Sequence, residues 1–232
     1  MELIGECAQI APTFLSLGNH EWMLHDLDLQ LIASTGAVVL DNSWKSLTVD
    51  GKKVAIGGLS AARFTEYKAF RAGSSELYPK PRSTASPHAP RSTASSRTEV
   101  KNINKVSRVC GDWISGAGGS VVDLAWLDDF CSVPEYKILL CHHPEYWSFL
   151  RSRKLDLVLS GHAHGGQFRL PLIGGLYAPG QGLFPKLTHG LHDGGHMMVS
   201  RGMSNGAFAP RINNPYELII LTLEPGKEAK EA

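Results

Sequence analysis

Apolar and polar positions along this chain of 232 residues fall into short blocks whose period changes from block to block. Residues 12–17 form a brief apolar run that stops at Gly18, with the length and flanks of a buried strand. Met23, Leu24, Leu27, Leu31 and Ile32 then recur at helical spacing up to Gly36, a residue suited to ending a helix. Residues 37–40, 46–49 and 53–56 read as three strands, separated by the turn signals Asp41-Asn42 and Asp50-Gly51. The Asp-Gly pair predicts a two-residue hairpin. Further on, the pattern predicts a helix at 121–130, a β-rich strand at 136–141, a helical stretch at 146–151 and a strand at 155–159. Later strands are predicted at 167–170, 196–200 and 217–223. Strands alternating with helices through the middle, and strand-rich ends, indicate an α/β sandwich.

Composition narrows the class. The chain is 43% hydrophobic and 19% charged, which is globular rather than disordered, and its length suits one full α/β domain or two small ones. With 23 Lys and Arg against 22 Asp and Glu, the net charge of +1 leaves no electrostatic footprint for nucleic acid or an anionic membrane. One window departs from the rest. Residues 79–98 hold five Ser, four Pro, three Thr and three Arg with no branched aliphatic or aromatic residue, and Arg82-Ser83-Thr84-Ala85-Ser86 returns unchanged at 91–95. Such a segment cannot bury enough apolar area to offset its ordering entropy, so it reads as a solvated low-complexity loop, about 71–110, inserted in a single domain. Cys7, Cys110, Cys131 and Cys141 are far apart with no Cys-x-x-Cys pair, which encodes neither a disulfide framework nor a cysteine zinc site. Residues 1–12 show no signal-peptide pattern, and the strongest apolar stretch, 218–223, is too short to cross a bilayer.

The chemistry gathers at the ends of three predicted strands. The first ends in Gly18-Asn19-His20-Glu21, the strand at 136–141 in His142-His143-Pro144, and the strand at 155–159 in Ser160-Gly161-His162-Ala163-His164-Gly165-Gly166. Ligands of open α/β sheets bind in the crevice at the carboxyl ends of strands. Imidazoles and side-chain carbonyls placed there suit divalent metals. In His162-Ala163-His164 an extended backbone would send the rings to opposite faces, whereas a tight turn, permitted by the flanking glycines, lets them diverge towards two neighbouring ions.

In that order, Gly18 to Glu21, His142 and Gly161 to His164 resemble the last three blocks of the calcineurin-like metallophosphoesterase superfamily. The run from Ser160 to Gln167, with Ser200-Arg201-Gly202 and Pro210-Arg211-Ile212-Asn213 behind it, is similar to a bacterial branch of small phosphodiesterases. The resemblance covers roughly residues 12 to 225, apart from the insertion. It implies a metallophosphoesterase-type β-sandwich flanked by helices, and a hydrolase acting on a small phosphoester through divalent ions, two in the complete family site (Mn, Fe or Zn). Asn19, His142 and His162 would be ligands of one ion and His164 of its neighbour. His20 would face the scissile phosphate as general acid or as a donor to the developing charge.

The family's two opening blocks, Asp-x-His and Gly-Asp, have no counterpart before Gly18, because residues 1–17 contain no Asp or His. The expectation is an N-terminally truncated chain lacking its first strands, binding one ion or none and turning over little phosphodiester. Membrane association is expected only through the absent segment, and the location is expected to be cytoplasmic or membrane-associated in a bacterium. Gly111-Asp112 has the right letters in the wrong order and reads as loop. Glu21 either orients His20 or caps the next helix. His143 reads as an outer neighbour of the site or as solvent-facing, Cys141 as core, and Arg201 and Arg211 either meet substrate phosphate or form surface ion pairs. His189, His192 and His196 fit no metal-ligand spacing.

Overall fold

The computed structural model describes residues 2–21, 24–60, 125–204 and 210–224. The predicted insertion at about 71–110, the Gly111-Asp112 pair and the predicted helix start at 121–124 lie outside the described residues. The elements run α1 (Glu2–Ile10), β1 (Phe14–Ser16), α2 (Asp26–Ser34), β2 (Val38–Leu40), β3 (Ser43–Val49), β4 (Lys52–Leu59), α3 (Ala125–Ser132), β5 (Tyr136–Cys141), α4 (Trp147–Leu150) and β6 (Leu157–Ser160). Short strands follow: β7 (Arg169–Leu170), β8 (Gly174–Gly175), β9 (Tyr177–Ala178), β10 (Gly182–Leu183), β11 (Gly190–His192) and β12 (Met197–Val199).

Local signals account for several boundaries. The backbone N–H of His25 donates to the Asp28 carboxylate (2.8 Å) at the start of α2, and Gly36 ends that helix at φ +93°, a conformation an L side chain rarely adopts. Asp50 (φ 50°) and Gly51 (φ 76°) both take the left-handed region between β3 and β4, as a type I′ hairpin requires.

The main sheet has six strands in the order β11-β12-β6-β5-β4-β3. Its four middle strands are mutually parallel, and antiparallel neighbours close both edges. A smaller parallel pair, β1 with β2, lies against it. Successive residues of a strand face opposite sides of the sheet, and two adjacent glycines of β4 show what covers each side. A Cβ on Gly57 would stand 3.1 Å from the Phe130 ring of α3, whereas one on Gly58 would stand 2.5 Å from Leu40 Cβ and 2.6 Å from the Leu40 carbonyl oxygen in β2. Helix α3 therefore covers one face and the β1–β2 pair the other.

The core is concentrated on the α3 side, where Ala55, Leu59, Leu127, Phe130, Leu139, Cys141, Val158, Met197 and Val199 are buried together. On the opposite face Ile56, Ile138, Leu140 and Leu159 are only half-buried. The α/β architecture inferred from the pattern, a strand sandwich with helices against it, is the one observed.

One predicted strand does not form. Residues 218–223 are a nearly unbroken aliphatic run, yet Leu218 is 75% and Ile220 88% exposed and no ladder is made among the described residues. A strand needs a partner edge, and among the described residues this segment is held at Glu217, whose N–H donates to the Gly202 carbonyl (3.1 Å) and whose carboxylate accepts from the Arg201 N–H (3.0 Å). Among the described residues no helix is long and apolar enough to cross a membrane.

Candidate metal centre

Parallel pairing brings two of the histidine clusters side by side. In the register of β5 with β6, Leu140 lies opposite Leu159, so both strands end at the same level. The chain then leaves β5 through His142 and β6 through Gly161, whose N–H donates to the His142 carbonyl (3.1 Å). The His142 and His162 rings meet edge-on with centroids 5.1 Å apart, and the His143 ring is 4.0 Å from that of His162.

The third cluster arrives from β1. Its turn is closed on itself, with the Gly18 N–H donating to Glu21 Oε2 (2.7 Å) and the Glu21 N–H donating to the Gly18 carbonyl (3.3 Å). A side chain at Gly18 would strike the His142 ring at 3.0 Å, so the turn can press against His142 because the residue is glycine. Of the two roles open for Glu21, the carboxylate takes neither directly: it braces its own turn, while His25 begins α2. Asn19 follows with its Oδ1 buried and without a hydrogen-bond partner, and His20 is exposed.

The loop carrying His162 and His164 is held in an unusual backbone. His162 (φ 60°) and His164 (φ 47°) both sit in the left-handed region, as the tight-turn alternative demanded. Asn214 supports it, donating from Nδ2 to the carbonyls of His164 (2.6 Å) and Gln167 (3.2 Å). Arg169 Nη1 donates to the Gly165 carbonyl (2.8 Å). Gly166, at φ +83°, packs so tightly that a Cβ there would lie 2.4 Å from the Gly175 Cα.

His143 is buried (7% exposed) rather than solvent-facing. Its Nδ1 lies 2.9 Å from Glu145 Oε1, and its ring stacks on Tyr146. Glu145, which the sequence reading passed over, is 8% exposed. Cys141 is core, its thiol directed at the His143 carbonyl (3.5 Å). Arg201 pairs with Glu217 (3.7 Å), and Arg211 donates to the Arg201 carbonyl (2.7 Å) with its guanidinium over the Tyr216 ring. His196 contacts the Asp156 carbonyl at the far end of β6, and His189 lies against the Arg169 guanidinium.

Electrostatics keep the inner imidazoles neutral. Burial is the largest influence on His142, with the fields of His143, His164 and His20 added, and its pKa falls from 6.5 to about 3. Burial likewise lowers His162 to about 2, helped first by His143 and then by His142. His164 moves down as well, through burial and then the nearby Arg211 charge. A neutral imidazole has a lone pair for a metal ion, and the buried, unpartnered Asn19 Oδ1 is an oxygen donor of the kind that divalent Mn, Fe and Zn accept. The donor set therefore fits such ions.

The profile of the calcineurin-like phosphoesterase family matches residues 2–166, most of the chain and all three clusters. The chain belongs to the calcineurin-like phosphoesterase family. Membership implies phosphoester hydrolysis with divalent metal ions. Among curated proteins this phosphoesterase chain is 32% identical over 126 residues to the metallophosphoesterase YkuE of Bacillus subtilis, covering 48% of the chain and 43% of the relative. It is 34% identical over 89 residues to the phosphodiesterase YaeI of Escherichia coli (38% and 32%), and 35% identical over 108 residues to the metallophosphoesterase Cj0846 of Campylobacter jejuni (45% and 27%). The alignments thus span less than half the length of each relative. No solved structure matches the chain significantly.

Proposed function

We propose that this calcineurin-like phosphoesterase chain carries the metal-binding half of a phosphodiester-directed hydrolase site. Asn19, His142 and His162 would hold one divalent ion and His164 its neighbour. When bound, such ions draw charge from phosphate oxygens and make water a better nucleophile at neutral pH. The chain's own residues do the rest. Neutral His142 and His162 offer nitrogen lone pairs at no protonation cost at pH 7, and the braced turn of Gly18 to Glu21, which carries Asn19, packs against His142. His20, exposed beside the cluster, is free to meet a substrate and donate a proton to the leaving oxygen. The observation that carries this reading is the buried, unpartnered Asn19 Oδ1 on a turn packed against His142. The phosphodiesterase name of the Escherichia coli relative supports a diester substrate.

A second reading, a catalytically inactive remnant that keeps the fold and holds a single ion at most, is favoured by one specific fact. Residues 1–17 contain no Asp or His, so the upstream carboxylate and imidazole ligands implied by the resemblance have no counterpart there. Hydrolysis of bis(4-nitrophenyl) phosphate by this chain with excess Mn2+ tests both. The hydrolase reading expects slow turnover that vanishes with a chelator and falls by about 10²–10⁴ in His20→Ala, the usual worth of a general acid. Turnover indifferent to chelation contradicts it, and no turnover at all selects the remnant.

A further inference from the structure

Glu145 belongs to none of the family blocks, yet it is the most buried carboxylate near the imidazole cluster. It follows Pro144 in the single 3₁₀ turn Pro144–Tyr146, with Oε1 2.9 Å from His143 Nδ1. Its other oxygen, Oε2, is buried without a hydrogen-bond partner. Gly180 closes the opposite wall so tightly that a Cβ there would stand 2.0 Å from Oε1. A buried carboxylate with one oxygen unmatched is costly unless a cation or a proton completes it, and the contact with His143 Nδ1 engages Oε1 and leaves Oε2 unmatched. The His162 ring lies against His143, and one donor atom each from His143, Glu145 and His162 fall within 4.8 Å of one another. Zinc bonds of about 2.0–2.2 Å to nitrogen and carboxylate oxygen require donors about 3–4 Å apart, so a small movement of the side chains closes the set.

We propose that His143, Glu145 and His162 form a divalent-metal site of their own, with the two-imidazole, one-carboxylate ligand set that zinc favours. The site shares only His162 with the set of Asn19, His142 and His162, and it does not depend on the hydrolase reading. Because His162 serves both sets, an ion seated on Glu145 draws that ring away from Asn19.

Zinc binding to the chelator-treated full chain, measured by calorimetry, tests the proposal, with Co2+ absorption reporting the ligand geometry. One ion is expected per chain, with the intense visible bands of four-coordinate cobalt. Glu145→Gln lowers zinc affinity at least about tenfold, the scale on which metal sites respond to loss of a supporting carboxylate. His143→Ala lowers it similarly, and decides the matter should Glu145→Gln fail the circular-dichroism check of folding. His196→Ala, at the far end of β6, leaves zinc affinity unchanged. Full zinc affinity in folded Glu145→Gln or in folded His143→Ala overturns the proposal. The readout is binding alone, so an absence of hydrolysis bears on the hydrolase reading and not on this site.

Discussion

Acid should unfold this protein by a route its two innermost imidazoles define. His142 and His162 titrate near pH 6.5 in an unfolded chain, but in the folded protein burial and mutual repulsion lower them to about 3 and about 2. Between those limits the unfolded state binds protons that the folded state refuses, so stability falls as pH falls below 6.5, and it is fully present above that value. Each imidazole contributes about 1.4 kcal/mol per pH unit well inside the window. From pH 7 to pH 5 the loss comes to about 2 kcal/mol per ring, or about 4 kcal/mol for the pair. Against a typical domain stability of about 5–15 kcal/mol this is a large share, and it moves a urea midpoint by about 2 M at an ordinary denaturant slope. The assay is urea unfolding in chelator at pH 7 and pH 5, where most carboxylates remain charged. The double variant His142→Gln with His162→Gln should show only the residual dependence left by His164 and His189, which are also lowered mainly by burial. If wild type and double variant lose the same stability between the two pH values, the rings are not buried neutral groups and the electrostatic argument is wrong.

Packing yields further expectations. Gly58→Ala drives a Cβ into the Leu40 backbone and should cost about 1–3 kcal/mol in thermal unfolding, whereas Gly51→Ala, at φ +76° with open space around it, should cost only about 1 kcal/mol. Equal effects would refute the close crossing of β2 over β4. Phe130→Ala should cost about 3–5 kcal/mol while leaving zinc affinity unchanged, since the ring packs on the sheet face away from β1. Asn214→Ala should cost about 1–3 kcal/mol by stranding the His164 and Gln167 carbonyls, and should weaken divalent-ion binding as the loop relaxes; unchanged binding would show that the loop holds itself.

Local signals were legible where local energetics decide. The apolar run at 136–141 coincides with β5, and Asp50-Gly51 and Gly36 take the positive φ their turn and helix stop require. Two of the strand-end clusters were visible because glycines bracket chemistry-bearing residues, and the third because a histidine pair ends a β-rich run before Pro144. What the sequence could not display depends on distant partners. Residues 218–223 are as apolar as a buried strand but form no ladder among the described residues. Helix α1 buries no residue, and the sequence reading assigned no element to residues 2–10. Asn214 supports a loop fifty residues away, and nothing adjacent to it signals that role. Glu145 stands two residues beyond His143, a spacing that reads as surface until Pro144 starts the turn that folds it back onto the ring.

The central claim is that three separate strand ends deliver their donors into one pocket. Nuclear magnetic resonance of the histidine rings during titration with paramagnetic Mn2+ tests it most directly. The account predicts that His142, His162, His164 and His20 broaden together at low Mn2+, while His196, at the far end of β6, stays sharp. Broadening that begins at His196, or that spreads evenly over all the imidazoles, would contradict it.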